Sequence, residues 1–152
     1  MPTAAINTLA GSFYIEDPGS TIEKQDFGIW RNGIVQPQSP SAASVPCGTR
    51  DRPAEVTLEI LGQPPGDPAP VWEAVAEVSL VSVSGRLWIR DWDGRLTPDL
   101  DIDGLPIGPI RLRVSAEGRD TQERERFLIQ AWSAPEAPDD VLRQDRLAGD
   151  FQ

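Results

Sequence analysis

The chain has 152 residues and a formal net charge of −10 at pH 7, with 39% hydrophobic and 25% charged residues. This negative charge argues against binding to nucleic acids or to an anionic membrane surface, because both attract basic patches. The hydrophobic fraction suffices for a packed core and the length is typical of one domain. We therefore expect a single domain over residues 1–152.

Proline, glycine and cysteine usage narrows the class further. The 15 prolines and 13 glycines recur at short intervals, which suits short strands joined by turns better than long helices. A single cysteine, Cys47, precludes an intrachain disulfide bond. No apolar stretch reaches the roughly 20 residues of a membrane span, and the first residues lack the basic start and apolar core of a secretory signal. We therefore expect a cytoplasmic location.

The first half of the chain contains three predicted strands. The segments "SFYIED" and "DFGIWRNGIV" are typical of short strands, the second with a turn at Asn32–Gly33. In "AEVTLEIL" apolar and polar residues alternate, as in a half-buried strand. Residues 36–53 and 62–70 are rich in proline, serine and glycine, and we expect irregular loops there.

The stretch "VWEAVAEVSLVSVSG" allows two interpretations. As a strand, its apolar parity slips after Leu80 to Val81 and Val83, which a β-bulge near Leu80 would explain. As a helix, the apolar residues of its first half would share one stripe. The β-branched residues at 78–83 favour a strand. Strand and helix both remain open for residues 71–80.

Three later segments continue the strand pattern. "RLWIRDW", "IRLRVSA" and "RFLIQAW" alternate, the second with Arg111 and Arg113 predicted in water and the third predicted to be covered on both sides. "DDVLRQDRLAG" is a candidate short C-terminal helix within a tail over 136–152. About eight short strands predict an all-β fold, a single-domain antiparallel β-sandwich.

The segment "DLDIDGLP", residues 99–106, has the beginning of a calcium loop. Asp99, Asp101 and Asp103 and the following glycine match the first positions of an EF-hand loop, but Ile110 stands where the bidentate glutamate is required. A strand explains these residues better, because the intervening apolar residues would point inward and the aspartates outward. We expect a solvated strand and no metal site.

The surrounding residues form a candidate partner-binding surface. Acidic residues are concentrated between positions 91 and 103, and two tryptophans share the strand parity of Arg86 and Arg90. The candidate binding residues are Asp91, Asp93, Asp99, Asp101, Asp103, Trp88, Trp92 and Arg90. A negative surface suits a basic protein partner, and Trp and Arg are favoured anchors in interfaces. Two plainer interpretations stay open: a solvated polar face, and tryptophans covered by the proline-rich loops.

Catalysis is disfavoured by the residue types present. The chain has no histidine, the commonest general base and a member of the usual serine and cysteine triads. Cys47 therefore lacks an activating imidazole, and a zinc site would lack both histidine and paired cysteines. Acidic residues are so abundant that no catalytic carboxylate pair stands out. We expect a non-enzymatic protein without a cofactor.

The second half of the chain resembles a known family. "LDIDGLPIGPIRLRVSAEG" resembles the succession of strand, Leu-Pro, Gly and strand found in the competence protein J family, which includes a nuclease inhibitor. The order of an N-terminal strand, a tryptophan segment, a loop and a long central strand is also similar. "GPIRLRVSAEGRD" followed by "ERFLIQAW" likewise resembles small uncharacterised bacterial β-sandwich proteins. The resemblance implies a small, non-enzymatic binding protein.

These observations lead to one functional hypothesis and two alternatives. The hypothesis is an acidic inhibitor or immunity-type protein that masks a basic surface of a toxin or nuclease. The alternatives are a carbohydrate-binding β-sandwich that uses an exposed tryptophan stripe, and a structural or assembly component. The sequence leaves the partner, the oligomeric state and the pathway open.

Overall fold

The computed structural model of the protein describes residues 2–6, 11–19, 32–48, 52–91, 93–121 and 124–150. These ranges contain eleven strands and one short helix. The strands are β1 (Thr3–Ile6), β2 (Ser12–Glu16), β3 (Gln36–Ser39), β4 (Ala42–Pro46), β5 (Ala54–Ile60), β6 (Ala74–Ser82), β7 (Leu87–Arg90), β8 (Leu96–Ile102), β9 (Gly108–Glu117), β10 (Arg126–Ser133) and β11 (Asp140–Arg143), and the helix is α1 (Arg146–Asp150).

The strands form two sheets around a shared core. A six-stranded sheet has the order β1-β5-β10-β9-β6-β11, and a five-stranded sheet has the order β3-β4-β2-β7-β8. Phe13 of the smaller sheet meets Phe127 of the larger sheet edge to face, with ring centroids 5.1 Å apart. One hydrophobic cluster includes buried residues of both sheets, such as Ile15 and Ile129. The all-β prediction is confirmed.

The number and direction of the strands differ from the prediction. The described ranges contain eleven strands rather than about eight. The sheets are not wholly antiparallel, because β10 runs parallel to β5, with Phe127 opposite Val56. The strands that the sequence missed include β1, β3 and β11, each four residues long. A strand of this length carries too little alternation to be recognised.

Residues 74–82 form strand β6, which settles the choice between strand and helix. The register against β9 runs from Ala74 opposite Ala116 to Ser82 opposite Gly108 without a shift, so the predicted bulge near Leu80 is wrong. Val81 and Val83 do not take over the buried face; they are 41% and 51% exposed. These two apolar side chains therefore lie on the surface and not in the core.

The segment 36–53, expected to be irregular, contains β3 and β4. All five residues of β4 are buried, and β4 lies between β3 and β2 in the five-stranded sheet. The loop at 62–70 has no regular structure. Of the predicted strand "DFGIWRNGIV", residues 26–31 lie outside the described residues, and 32–35 form a bend in which Asn32 Oδ1 accepts the amides of Ile34 and Val35.

The C-terminal segment is also different from the prediction. Residues 140–143, expected within a helix, form strand β11 on the free edge of β6. The guanidinium of Arg143 donates to the carbonyls of Pro68, Ala69 and Trp72. These tertiary contacts favour the extended conformation over the local helical pattern, and the helix is confined to 146–150.

The arginines of β9 are buried, where the sequence placed them in water. The alternation itself is as predicted, but Arg111 and Arg113 are each only 6% exposed. Both donate to the carboxylate of Glu77 on β6. Arg111 also donates to the carbonyls of Ala137 and Pro138, at 3.0 and 2.7 Å. The proline-rich segments therefore cover this outer face, and their carbonyls replace solvent as hydrogen-bond acceptors for the arginines.

Candidate functional site

The outer face of the five-stranded sheet carries polar and aromatic side chains. Apolar residues of β2, β7 and β8 point into the core, so the alternate residues point outward. The cross-strand register places Glu16 opposite Trp88, and Trp88 opposite Asp101. These three residues, which we call the outer-face row, cross the sheet from β2 to its edge strand β8. Tyr14 lies opposite Arg90 in the adjacent row.

The carboxylate of Glu16 fixes the position of Trp88. Glu16 is only 7% exposed, and its Oε1 accepts a hydrogen bond of 2.6 Å from the indole Nε1 of Trp88 and another from Arg90 Nε. The guanidinium of Arg90 also lies 5.3 Å from the centroid of the Trp88 ring and donates to the carbonyl of Gly94. A buried, charge-assisted pair of this kind holds the indole in one orientation.

Two aspartates, Asp99 and Asp101, lie on the edge strand β8, and Asp103 follows directly after it. The burial of Leu100 confirms that "DLDIDGLP" begins as a strand. Asp99 and Asp103 are exposed, and no hydrogen bond or ion pair joins their carboxylates to another described residue. Asp101 is half-buried and accepts a hydrogen bond from Arg86. We call Asp99, Asp101 and Asp103 the acidic edge. Asp101 is the cross-strand partner of Trp88 and Asp99 has the same strand parity, so both share a face with Trp88, while the charge of Asp103 acts on the nearby Arg86.

Asp91 has a structural position instead of a surface one. It is 9% exposed, and its Oδ1 accepts hydrogen bonds from the backbone amides of Asp93 and Arg95, at 2.9 and 3.0 Å. Its carboxylate thus closes the turn between β7 and β8, in which Gly94 has a φ of 80°. Asp93 is exposed on that turn, 3.5 Å from Arg95. Trp92 lies outside the described residues.

The structure therefore gathers Trp88, Arg90 and the acidic edge on one surface and separates Asp91 from it. Sequence reasoning missed Glu16, which organises this surface. Its hydrogen bond to Trp88 spans 72 positions of sequence. The available signal was a charged residue that continues the outward parity of "SFYIED", but its partner is visible only once the β2–β7 register is known.

Elsewhere in the described residues, two carboxylates that line a groove are engaged by neighbouring groups, and one thiol is buried. An open groove of about 760 Å³ is lined by residues including Glu73 and Glu117, but Glu73 accepts the Gly118 amide and Glu117 pairs with Arg126. Burial raises the pKa of the Cys47 thiol well above its ordinary value, and the charge of Glu125 adds to this. A thiol in this state is a poor nucleophile.

Among the described residues, no three His, Cys, Asp or Glu side chains lie together as a metal site would require. No described helix has both the length and the apolar character needed to cross a membrane.

The comparisons with known proteins give structural neighbours only. No family model matches the chain, and no curated protein matches it. Among solved structures it is similar to ComJ from Bacillus subtilis, described as the inhibitor of the DNA degrading activity of NucA. The TM-score is 0.67 at 15% sequence identity, over 88% of this chain and 96% of that one. The resemblance to the competence protein J family is confirmed at the level of the fold.

A second solved structure has the same fold at greater distance. It is described as crocagin biosynthetic gene J, with a TM-score of 0.55, 13% identity, and coverage of 88% of this chain and 95% of that one. Both alignments cover nearly whole chains, so the likeness concerns the complete two-sheet architecture. At such identities it establishes the fold alone, and function must be argued from the surface of this chain.

Proposed function

We propose that this protein is a non-enzymatic protein-binding module, an inhibitor that masks a basic surface of a nuclease or toxin. The observation that carries the proposal is the outer face of the five-stranded sheet. There an indole fixed by Glu16 stands beside the acidic edge, with exposed carboxylates at Asp99 and Asp103. Such a face combines an anchor of defined shape with negative charge.

The charge of this face suits a partner that normally holds phosphates. Arg86 offsets Asp101 and Arg90 offsets Glu16, which leaves Asp99 and Asp103 as carboxylates without an ion pair among the described residues. Exposed carboxylates attract Lys and Arg side chains, and the net charge of −10 adds a long-range field of the same sign. On a nuclease, these groups would stand where DNA phosphates bind.

Trp88 supplies the apolar part of the contact. It is half-buried, and its indole N–H is already satisfied by Glu16, so a partner can cover the ring without leaving an unpaired donor. Tryptophan and arginine are enriched among residues that dominate binding energy. The Trp88–Arg90 pair therefore offers a preorganised anchor that loses little side-chain freedom on binding.

The structural neighbours support this proposal to different degrees. ComJ is described as an inhibitor of a DNA-degrading activity, and it has the same fold over nearly its whole length. The other neighbour is described only by a biosynthetic gene. One fold therefore occurs in proteins with different descriptions, and the acidic, aromatic face of this chain is what favours an inhibitor.

A site-specific cross-linking experiment tests the proposal. A photoreactive residue replaces Thr97, which lies on β8 two residues before Asp99, so that both exposed carboxylates remain; the protein is expressed in the native host, with Gln63 in the exposed 62–70 loop as the control position. The proposal expects a basic nuclease or toxin cross-linked from position 97 only, and loss of that protein's activity when the purified pair is mixed. Cross-linking to no such protein, or a pair in which activity persists, would contradict it.

The carbohydrate-binding alternative is less well supported by the same geometry. A sugar ring stacks on an open, flat aromatic face, whereas one side of Trp88 faces the Arg90 guanidinium at 5.3 Å. Tryptophan fluorescence against a glycan panel separates the two functions. A saturable change with a glycan would favour the sugar binder and contradict the inhibitor.

A further inference from the structure

Two neighbouring loops join the sheets at one end of the sandwich. Residues 83–86 lead from β6 in the six-stranded sheet to β7 in the five-stranded sheet, and residues 103–107 lead back from β8 to β9. The loops lie side by side, because Leu105 N donates to Gly85 O at 3.0 Å. A Cβ placed on Gly85 would lie 3.5 Å from Ile107 Cδ1, so Ile107 covers this junction.

The end of the sandwich exposes a concentration of apolar side chains. Ile107 is 67% exposed, Val83 is 51% exposed and Val81 is 41% exposed. Val81 lies opposite Pro109, which is also exposed, in the β6–β9 register. Single exposed apolar residues are ordinary, whereas several exposed apolar residues at one end of a fold are typical of an interaction surface. We call Val81, Val83, Ile107 and Pro109 the apolar end.

The apolar end adjoins the acidic edge. Ile107 follows Asp103 by four residues, so their Cα atoms are separated by at most about 14 Å of extended chain. Arg86, in the loop that contains Val83, donates to Asp101. This hydrogen bond raises the pKa of Arg86, and the negative charge of Asp103 adds to the effect. A partner that contacts Asp103 thus has Val83 and Ile107 within reach, because both lie in the two connecting loops, whereas Val81 and Pro109 continue the apolar end onto the outer face of the six-stranded sheet.

We propose that the apolar end is the second half of the binding surface, and that it takes an apolar side chain of a basic protein segment whose Lys or Arg residues contact the acidic edge. This inference rests on the proposed function and specifies its partner. Charge selects the occupant: a second copy of this chain would bring another net charge of −10 to a surface that already carries Asp103, whereas a basic segment is attracted to it.

Titration of the isotope-labelled protein with short defined peptides tests the inference. One peptide has leucine between lysines, a second has serine in place of leucine, and a third has leucine between glutamates. The leucine–lysine peptide should bind about tenfold tighter than the serine peptide, as expected from burial of one leucine side chain, and should shift the amides of residues 83–86 and 103–107. The glutamate peptide should not bind.

Two variants assign the effect to the apolar end. Ile107→Ser should remove the advantage of the leucine peptide while the serine peptide binds as before. Val71→Ser is the matched control. Val71 is 47% exposed, but it precedes β6 whereas Val83 follows it, so the two residues lie at different ends of the strand. Replacing Val71 should leave the affinities of both lysine peptides unchanged. Equal affinities of the two lysine peptides, or equal effects of the two variants, would overturn the inference.

The outcomes separate this inference from the proposed function. If both lysine peptides bind equally at Asp99 and Asp103, the acidic edge stands and the apolar end is excluded. If no lysine peptide shifts the amide signals of the acidic edge, the proposed function and this inference both fail. If light scattering shows a dimer that Ile107→Ser dissociates, the occupant is a second copy of the chain and the inference is wrong.

Discussion

At the scale of single residues, Asp17 fixes the position of the loop at the apolar end. It follows β2, is 1% exposed, and accepts hydrogen bonds from the amides of Gly19, Val83 and Ser84. Two of these donors belong to a segment 66 and 67 positions away in sequence. One carboxylate therefore ties the end of β2 in one sheet to the loop that leaves the other.

Replacing Asp17 should weaken the fold. Asp17→Ala leaves three amides without their acceptor, and we expect a loss of about 3 kcal/mol in the free energy of unfolding, since hydrogen bonds to charged groups are the stronger ones. Urea denaturation measures this. Asp67→Ala, on the exposed 62–70 loop, is the control and should change stability by less than about 0.5 kcal/mol. Equal stabilities of the two variants would contradict the prediction.

The same carboxylate gives a defined pH dependence. Burial alone raises the pKa of Asp17, but the hydrogen bonds from Ser84, Gly19 and Val83 outweigh it and hold the pKa below the ordinary value of 3.8. A group whose pKa is lower in the folded state stabilises the protein above the unfolded pKa, and this stabilisation is lost as pH falls through the folded pKa. Acid titration of stability should therefore be flatter below pH 3.8 in Asp17→Asn than in the wild type.

At the scale of elements, the C-terminal strand is held by the buried cluster on the outer face of the six-stranded sheet. Glu77 pairs with Arg111 and Arg113, and Arg111 binds the carbonyls of Ala137 and Pro138, which lead into β11. Two buried guanidinium groups thus share one carboxylate. Loss of that carboxylate leaves both without charge compensation, which is costly in a buried position.

Glu77→Gln should therefore loosen β11 before the rest of the sheet. We expect a loss of about 3 kcal/mol in unfolding free energy and faster hydrogen exchange at residues 140–143. Exchange within β5 and β10 should change only with global stability. Glu59→Gln is the control, because Glu59 is half-buried on β5, outside the Glu77 cluster, and among the described residues its carboxylate accepts from Gln130. Unchanged exchange at β11 in Glu77→Gln would show that the cluster does not hold the strand.

The edge strand β8 has a second property besides its charge. It is the last strand of the five-stranded sheet and contains Pro98 and the exposed Asp99. Proline lacks an amide donor, and charged side chains oppose pairing with another edge. The double change Pro98→Val and Asp99→Val should therefore promote edge-to-edge association, seen as concentration-dependent growth in light scattering. The same pair of changes at Pro68 and Asp67, in the 62–70 loop, should leave the protein at its original size.

How well the sequence predicted these elements depends on how far apart in sequence the interacting residues lie. Alternation over seven or more residues identified β5 and β9, because one buried face imposes a period of two. The outward arginines of β9 were placed in water because alternation says nothing about what covers a face. Arg119 is a further arginine whose burial alternation cannot reveal. It is 1% exposed, pairs with Asp145, and donates to the carbonyls of Gly33 and Pro46.

At the scale of the whole molecule, the candidate surface was predictable in its composition and not in its organisation. The run of aspartates and Trp88 lies on the β7–β8 hairpin, which carries part of the candidate surface. The turn role of Asp91 required the backbone of 91–95, and the fixing of Trp88 required the β2–β7 register. Contacts between distant segments decide which polar side chains are committed to the fold and which remain exposed.

The placement of charge also has a kinetic consequence. Asp99 and Asp103 are exposed carboxylates next to the proposed anchor, within a molecule of net charge −10. For a basic partner, Asp99→Asn with Asp103→Asn should lower the association rate constant by about tenfold at low ionic strength and change dissociation much less, because exposed charges act mainly on encounter.

Matched variants and salt distinguish local from global charge. Asp67→Asn with Asp140→Asn changes the net charge by the same amount at exposed positions outside the candidate surface, and should lower the association rate far less. Raising the ionic strength to about 0.5 M should bring the wild type and both variants together, since the screening length then falls below about 5 Å. Stopped-flow or surface-based kinetics measure these rates. Equal effects of the two charge pairs would mean that only the total charge of the molecule attracts the partner, and the acidic edge would then have no special place in the encounter.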